Sequence, residues 1–157
     1  MRKRIITQIT KRTIPIGEDW LDLENLAQAE LTSEDATHPI ESSLKRGTGS
    51  GWRASEPGRQ TVRLLFYEPL RVKHIHLMFQ EDEQQRTQVF LLRWSSDGGR
   101  SYGEFVRQQF NFSPPDNSNE TEDYEVDLAG LTVLEISISP DISGGCTRAS
   151  IAELCLA

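Results

Sequence analysis

The chain has 157 residues, of which 36% are hydrophobic and 26% charged, and its formal net charge is −7 at pH 7. This length is typical of one domain, and the composition is that of a folded chain. The negative charge argues against a nucleic-acid partner, because such binding usually begins with a basic surface. No apolar run approaches the roughly 18 residues of a membrane span, so no membrane partner is expected.

The N-terminus and the cysteines bear on the cellular compartment. Met1 to Arg4 is basic, but no apolar signal-peptide core follows it, and this favours a cytoplasmic location. Cys146 and Cys155 lie in a segment with the pattern of a single strand. That arrangement would separate them by about 30 Å, too far for a disulfide. We therefore expect two free thiols, with Cys155 a small core residue.

Before residue 60 the patterns that predict secondary structure are weak. Residues 20–24 and 27–32 have the alternation of strands, and residues 39–44 predict a helical turn. Three polar stretches are predicted to be loops, at residues 43–51, 80–86 and 113–123.

From residue 60 onward, short runs alternate between apolar and polar residues with a period of two. They predict strands at residues 61–66, 71–79, 87–95, 104–112, 124–128, 134–138 and 149–156. Residues 96–99 (SDGG) predict a hairpin loop, and Ala129-Gly130 predicts a turn. Lys73 would fall on the apolar face of its strand unless a bulge intervenes. The pattern as a whole predicts an all-β antiparallel sandwich.

Several segments, taken in order, resemble a known superfamily. They are residues 29–34 (AELTSE), 51–55 (GWRAS), 60–66 (QTVRLLF), 71–79 (RVKHIHLMF), 87–99 (TQVFLLRWSSDGG) and 149–156 (ASIAELCL). Together they resemble the discoidin-like, galactose-binding-like superfamily, which includes coagulation-factor type C domains and many sugar-binding modules of bacterial glycosidases. The resemblance covers residues 27–157. It implies a jelly-roll sandwich of about eight strands with ligand loops at one end, and leaves residues 1–26 as an N-terminal extension that packs on or pairs with the sandwich.

The resemblance also implies where a ligand would bind. Sugar-binding members use a histidine, an arginine, an asparagine and an aromatic ring together, and the corresponding candidates here are His38, Trp52, Arg53, Arg86, Asn111 and Arg148. Each has a structural alternative: Trp52 as a buried core residue, Asn111 as a solvated position beside inward-facing Phe110 and Phe112, and the others as solvated side chains.

Sugar-binding members usually carry an Ala-x-Asp-Gly loop that holds a structural calcium. Here the corresponding stretch, residues 38–43, reads HPIESS and lacks the Asp-Gly. Calcium requires about six to eight oxygen ligands, and the carboxylates that can be nominated are Glu41 and Glu153. The resemblance therefore implies only a weak calcium site.

His74 and His76 project from the same face of one predicted strand. Two imidazoles at this spacing could share a zinc ion, but no third ligand is visible. The alternative is a solvated outer strand face.

No pattern in the chain predicts catalysis: there is no GxSxG elbow, glycine-rich phosphate loop or HExxH motif. The first hypothesis is a non-catalytic module that binds carbohydrate through loops at one end of the sandwich. The second is a protein interaction or assembly module that uses a sheet face or residues 1–26.

Overall fold

The computed structural model describes residues 10–11, 19–47 and 49–157. Strands dominate these residues, with one short α-helix and one 3-10 helix. The elements are β1 (Thr10–Lys11), α1 (Leu23–Leu26), β2 (Ala27–Leu31), the 3-10 helix (Ile40–Ser43), β3 (Trp52–Pro57), β4 (Gln60–Gln80), β5 (Arg86–Ser95), β6 (Gly103–Phe112), β7 (Asn119–Ser139), β8 (Arg148–Ile151) and β9 (Glu153–Leu156).

The strands pair in two antiparallel sheets, which confirms the predicted all-β sandwich. The larger sheet has the order β2-β4-β7-β5-β6, with β1 also on β7 and β9 also on β4. The smaller sheet consists of β3 and β8. No helix among the described residues is long and apolar enough to cross a membrane.

β4 and β7 each have 21 residues, and each joins two of the predicted strands into one. The pairing register of β4 with β7 shifts between Leu65 and His74, and the halves on either side of this irregularity pair with β2 and β9 respectively. The irregularity exposes Lys73 and buries Val72, as the predicted bulge requires. The turn predicted at Ala129-Gly130 is wrong, because β7 continues through these residues.

Aromatic and aliphatic side chains between the two layers form the core. Phe79 of β4 packs on Phe90 of β5 with ring centroids 5.2 Å apart, and Phe105 of β6 meets Tyr124 of β7 edge to face at 6.2 Å. The predicted inward residues are buried, among them Val62, Leu64, Phe66, Ile75, Leu77, Leu92, Trp94, Val126, Leu128, Leu134, Ile136 and Ile138.

Near the N-terminus the sequence predictions are partly wrong. Residues 20–24 do not form a strand: the carbonyl of Asp22 accepts the N–H groups of Asn25 and Leu26, and this starts α1. The strand at residues 27–32 and the helical turn at residues 39–44 are confirmed as β2 and the 3-10 helix. Alternation over five residues is too short to distinguish a strand from one helical turn.

Two further predictions fail near the C-terminus. The acidic loop at residues 113–123 is wrong in its second half, because β7 begins at Asn119 and buries Glu120 and Glu122. The closing strand is two strands, β8 and β9, which pair with β3 and β4. Cys146 lies before both, in an exposed segment, so the cysteines do not share a strand; both are nevertheless free thiols.

His74 and His76 are buried, with 0% and 1% exposure, so the predicted solvated strand face is wrong. Asp123 Oδ1 lies 3.0 Å from His74 Nε2 and 2.9 Å from His76 Nδ1, and Glu153 Oε1 lies 2.8 Å from His76 Nε2. The ring of Trp20 covers both imidazoles, at centroid distances of 5.2 and 5.8 Å.

Trp20 belongs to the predicted N-terminal extension, and other described residues of that segment also contact the sandwich. β1 pairs with β7, Leu23 is buried in the core, and the N–H of Leu21 donates to the carbonyl of Leu156. Residues 1–9 and 12–18 of the extension lie outside the described residues. The domain boundary at residue 26 and an assembly role for the extension stay predictions.

Candidate functional site

A cavity of about 260 Å³ lies between the β3/β8 sheet and the segment that joins β4 to β5. Five of the six side chains predicted to bind a ligand line it: His38, Trp52, Arg53, Arg86 and Arg148. These residues are up to 110 positions apart in the chain, and the fold brings them to one place.

The β3/β8 sheet supplies one wall. Arg53 pairs with Ser150, and Arg148 pairs with Pro57, so neighbouring strands carry the two arginines. Both guanidinium-bearing residues are exposed, while Ala54 and Ala149 beside them in sequence are buried. The alternation of each strand therefore directs Arg53 and Arg148 away from the core. Among the described residues, no carboxylate lies within ion-pair distance of either arginine.

Backbone hydrogen bonds to β3 position the loop that carries His38. The N–H of Arg53 donates to the carbonyl of His38 over 3.1 Å, and the N–H of Asp35 donates to the carbonyl of Arg53 over 2.9 Å. His38 Nδ1 lies 2.9 Å from the hydroxyl of Thr37. The pKa of Asp35 is lowered, chiefly because the N–H and hydroxyl of Thr37 donate to its carboxylate, with smaller contributions from His38 and Arg148.

Arg86 is held inside the structure. It is 4% exposed, and its Nε donates to Glu81 Oε1 over 2.7 Å. Its Nη1 donates to the carbonyl of Pro140, also over 2.7 Å, and its guanidinium lies 4.5 Å above the ring of Phe112. Burial alone would raise the pKa of Glu81, but the hydrogen bond from Arg86 and the N–H groups of Glu83 and Gln84 outweigh it and lower that pKa. Arg86 thus fixes the β4–β5 segment.

Trp52 is fully buried and its ring offers no face to solvent. Its indole Nε1 is also buried, however, and has no hydrogen-bond partner. A buried indole N–H usually finds an acceptor, and leaving it without one costs about 1–3 kcal/mol. Trp52 therefore lies beneath the cavity and shapes its floor, with its indole N–H covered by protein atoms.

Asn111 lies elsewhere. It is exposed on β6 and lines a separate groove of about 670 Å³ with Thr87, Ser113, Asn117 and Ile142. The hydroxyl of Thr87 donates to Asn111 Oδ1 over 2.8 Å. Phe110 is partly buried and Phe112 fully buried, as predicted from the alternation.

The residues nominated for calcium do not fit a calcium site. Glu153 Oε2 accepts the N–H of Gly47 over 2.7 Å, and Glu153 Oε1 is 2.8 Å from His76 Nε2 and 3.6 Å from Arg46 Nε. Hydrogen-bond donors thus surround the carboxylate that a cation would need. Glu41 is exposed in the 3-10 helix. In the described part of the chain, no three His, Cys, Asp or Glu residues are grouped to hold a metal, which also removes the zinc hypothesis for His74 and His76.

No protein-family model and no curated protein matches the sequence. Solved structures do match. A family 32 carbohydrate-binding module from C. perfringens NanJ, in complex with galactose, has 17% identity and a TM-score of 0.61 over 87% of this chain and 96% of that one. The family 32 module of AlyQ, in complex with 4,5-unsaturated mannuronic acid, has 17% identity and a TM-score of 0.62 over 89% and 98%. An F5/8 type C domain from Bacteroides fragilis has 11% identity and a TM-score of 0.61 over 90% and 97%.

The chain has the discoidin-like fold. This confirms the resemblance drawn from the sequence segments, and identities of this size establish the fold alone. Within the discoidin-like sandwich, the cavity is built from the loop before β3, the β3/β8 sheet and the β4–β5 segment.

Sequence reasoning missed part of this candidate site. Glu81 and Ser150 both line the cavity, and neither was predicted. The Glu81-Arg86 pair spans a segment predicted as a polar loop, where a carboxylate five residues before an arginine carries no specific signal. Ser150 follows from the strand alternation of β8 only once its pairing with Arg53 is known.

Proposed function

We propose that this protein is a non-catalytic module that binds a saccharide in the cavity lined by His38, Trp52, Arg53, Arg86 and Arg148. The observation that carries the proposal is the convergence of His38, Arg53 and Arg148 on one cavity whose opposite wall holds the carboxylates of Asp82 and Glu83. Sugar hydroxyls both donate and accept hydrogen bonds, so they match a site that offers guanidinium donors and carboxylate acceptors, and a few directed polar contacts of this kind are typical of small-ligand sites.

The shape of the site indicates recognition by hydrogen bonds instead of stacking. Trp52 and His38 are the aromatic residues in the lining, and the ring of Trp52 is covered. The volume of about 260 Å³ suits one sugar residue with its neighbours in solvent. The similar folds of modules solved with galactose and with 4,5-unsaturated mannuronic acid support a saccharide as the ligand class.

The buried cysteine, Cys155, is not an activated nucleophile, which agrees with a binding role. Burial first, and then the nearby carboxylate of Glu153, raise its pKa to about 12. A thiol with such a pKa is protonated at neutral pH and does not act as a nucleophile.

A glycan array with purified wild-type protein and two single variants tests the proposal. We expect wild type to be retained on at least one glycan class, His38→Ala to lose most of that retention, and Asn111→Ala to keep it, because Asn111 lies in the separate groove. Melting temperatures of the variants control for folding. Absence of retention for wild type at high concentration, or loss in Asn111→Ala but not in His38→Ala, would contradict the proposed site.

A further inference from the structure

We propose that the saccharide carries a carboxylate, and that Arg53 and Arg148 bind it. This inference rests on the proposed function and deepens it by naming the chemical class of the ligand. The basis for it is which charged side chains of the cavity wall form ion pairs and which do not.

Three arginines line the cavity, and they differ in how their charge is balanced. Arg86 is buried and forms an ion pair with Glu81 over 2.7 Å, so its positive charge is neutralised within the protein. Arg53 and Arg148 are exposed and lie on the paired strands β3 and β8. Within the described residues neither forms an ion pair or a side-chain hydrogen bond. Two guanidinium groups on adjacent strands therefore face solvent with no carboxylate at ion-pair distance, and Arg148 lies close enough to Asp35 only to contribute to lowering the pKa of that carboxyl.

The acidic residues on the opposite wall do not neutralise this pair. Glu81 is committed to Arg86 and to the N–H groups of Glu83 and Gln84. Asp82 and Glu83 are exposed on the β4–β5 segment, and no ion pair joins them to Arg53 or Arg148. The cavity thus has a cationic wall on β3/β8 and an anionic rim on the β4–β5 segment. An anionic group of a ligand is favoured beside the cationic β3/β8 wall and disfavoured beside the anionic β4–β5 rim. This difference orients the ligand.

A second, adjoining cavity of about 280 Å³ is lined by both Arg53 and Arg148, together with Glu81, Glu83, Gln84, Cys146 and Thr147. The two arginines therefore border open space on both sides, and their donors are accessible to a planar anion. Guanidinium groups bind carboxylates through parallel N–H donors, a geometry that a neutral hydroxymethyl group cannot use. A uronic acid differs from the parent hexose in this one group. The hydroxyl of Ser150 and the imidazole of His38 remain for the ring hydroxyls.

The test compares matched sugar pairs by isothermal titration calorimetry or NMR titration at pH 7: galacturonate with galactose, glucuronate with glucose, and mannuronate with mannose. We expect at least one uronate to bind about 5- to 20-fold more tightly than its neutral partner, the range for guanidinium–carboxylate contacts that keep some solvent access. This preference should shrink as salt is raised from about 25 to 300 mM, because exposed charges are screened.

Variants separate the two arginines from general charge effects. Arg53→Gln and Arg148→Gln should each reduce uronate affinity several-fold, and by a larger factor than they reduce the affinity for the neutral sugar, so that the uronate preference narrows. Arg107→Gln removes the same charge from exposed β6, outside the cavity, and should leave the preference intact. Equal binding of neutral and acidic partners, or an undiminished preference in both cavity variants, would overturn this inference and leave saccharide binding standing. No binding of any sugar would overturn the proposed function, and this inference with it.

Discussion

Some buried polar atoms in this sandwich have hydrogen-bond partners within the protein, and others have none. His76 contacts a carboxylate through each ring nitrogen, at 2.9 Å to Asp123 and 2.8 Å to Glu153. The indole N–H of Trp52 is equally buried and has no acceptor. The polar atoms of His76 thus have partners within the protein, and the indole N–H of Trp52 does not.

The completeness of the histidine network predicts a stability cost when it is broken. His76→Gln can reach only one of the two carboxylates, so the other loses one partner and keeps its remaining ones, His74 for Asp123 or Gly47 and Arg46 for Glu153. We expect the free energy of unfolding to fall by about 1–3 kcal/mol, the cost of one buried hydrogen-bond partner lost. His38→Gln is the matched control: its side chain is partly exposed, and we expect a loss of about 1 kcal/mol or less. Urea unfolding measures both, and equal stability of the two variants would show that the buried network contributes little.

The hairpin loop between β5 and β6 has a carboxylate at its centre. The hydroxyl of Ser95 and the N–H and hydroxyl of Ser101 donate to Asp97 over 2.6–2.9 Å. These hydrogen bonds, from Ser101 first and then from Ser95, lower the pKa of Asp97 far below its ordinary value of 3.8. A lowered pKa in the folded state means that ionised Asp97 stabilises the fold above the ordinary pKa, and that this contribution is lost as the pH falls towards the lowered one.

Asp97→Asn should therefore lower the melting temperature at pH 7 by about 2–4 °C, a shift typical of a small local loss in a domain of this size. The difference from wild type should stay constant down to about pH 5 and shrink below the ordinary pKa. Asp116→Asn, in the exposed β6–β7 segment, is the control and should shift the melting temperature little at any pH. A difference that grows on acidification would refute the role assigned to Asp97.

At the scale of the elements, the β3/β8 sheet depends on a close approach at Gly51. Gly51 has φ +67°, and a Cβ there would lie 2.4 Å from the carbonyl oxygen of Ile151 and 2.8 Å from the Cα of Ala152. The chain thus enters β3 directly against the junction of β8 and β9, and this contact seats Trp52 at the cavity.

The variants Gly51→Ala and Gly58→Ala distinguish the cost of the positive φ from the cost of the close contact. Gly58 also has positive φ, +84°, but a Cβ there meets nothing within 4 Å. We expect Gly58→Ala to lose about 1–2 kcal/mol from backbone strain alone. Gly51→Ala should lose at least about 2 kcal/mol more, because overpacking adds to the strain. Chemical denaturation of both proteins measures the difference, and similar losses would mean that the contact at Gly51 relaxes freely.

The sequence predicts the features that depend on neighbouring residues. It does not predict those that depend on residues far apart in the chain. The alternation of Ile75, Leu77 and Phe79 is local, and it predicted the inward face of β4 correctly. The burial of His76 could not be predicted, because its partners lie 47 and 77 residues away and belong to strands whose pairing is not encoded locally. Residues 119–123 (NETED) look like a loop because the acidic side chains conceal a strand that the fold pairs with β4.

The same distinction between local and long-range interactions applies to the candidate site. The residues that line the cavity were nominated from the superfamily resemblance. The resemblance implies which residues lie close together in space, and composition and spacing do not. Asn111 was grouped with them and lies in a second groove that shares Arg86 with the cavity, because the alternation of a strand does not show which of two neighbouring grooves a residue lines. The calcium expectation failed through Glu153, whose hydrogen-bond donors come from the Gly47 loop and from β4.

At the scale of the whole molecule, the central claim is that a discoidin-like sandwich with net charge −7 carries a saccharide site at the β3/β8 end. The three tryptophans offer reporters of known position. Trp52 lines the cavity, Trp20 covers the buried histidines, and Trp94 packs beside Gly103 at the β5–β6 hairpin. Each gives a separate indole N–H signal in a ¹H–¹⁵N spectrum.

The most direct measurement is an NMR titration of the ¹⁵N-labelled full chain with the sugars and uronates named above. The account predicts a saturable shift of the Trp52 indole N–H, together with backbone shifts at His38, Arg53 and Arg148, while the indole signals of Trp20 and Trp94 stay in place. A saturable response centred on Asn111, or no response of Trp52 at tens of millimolar sugar, would contradict it.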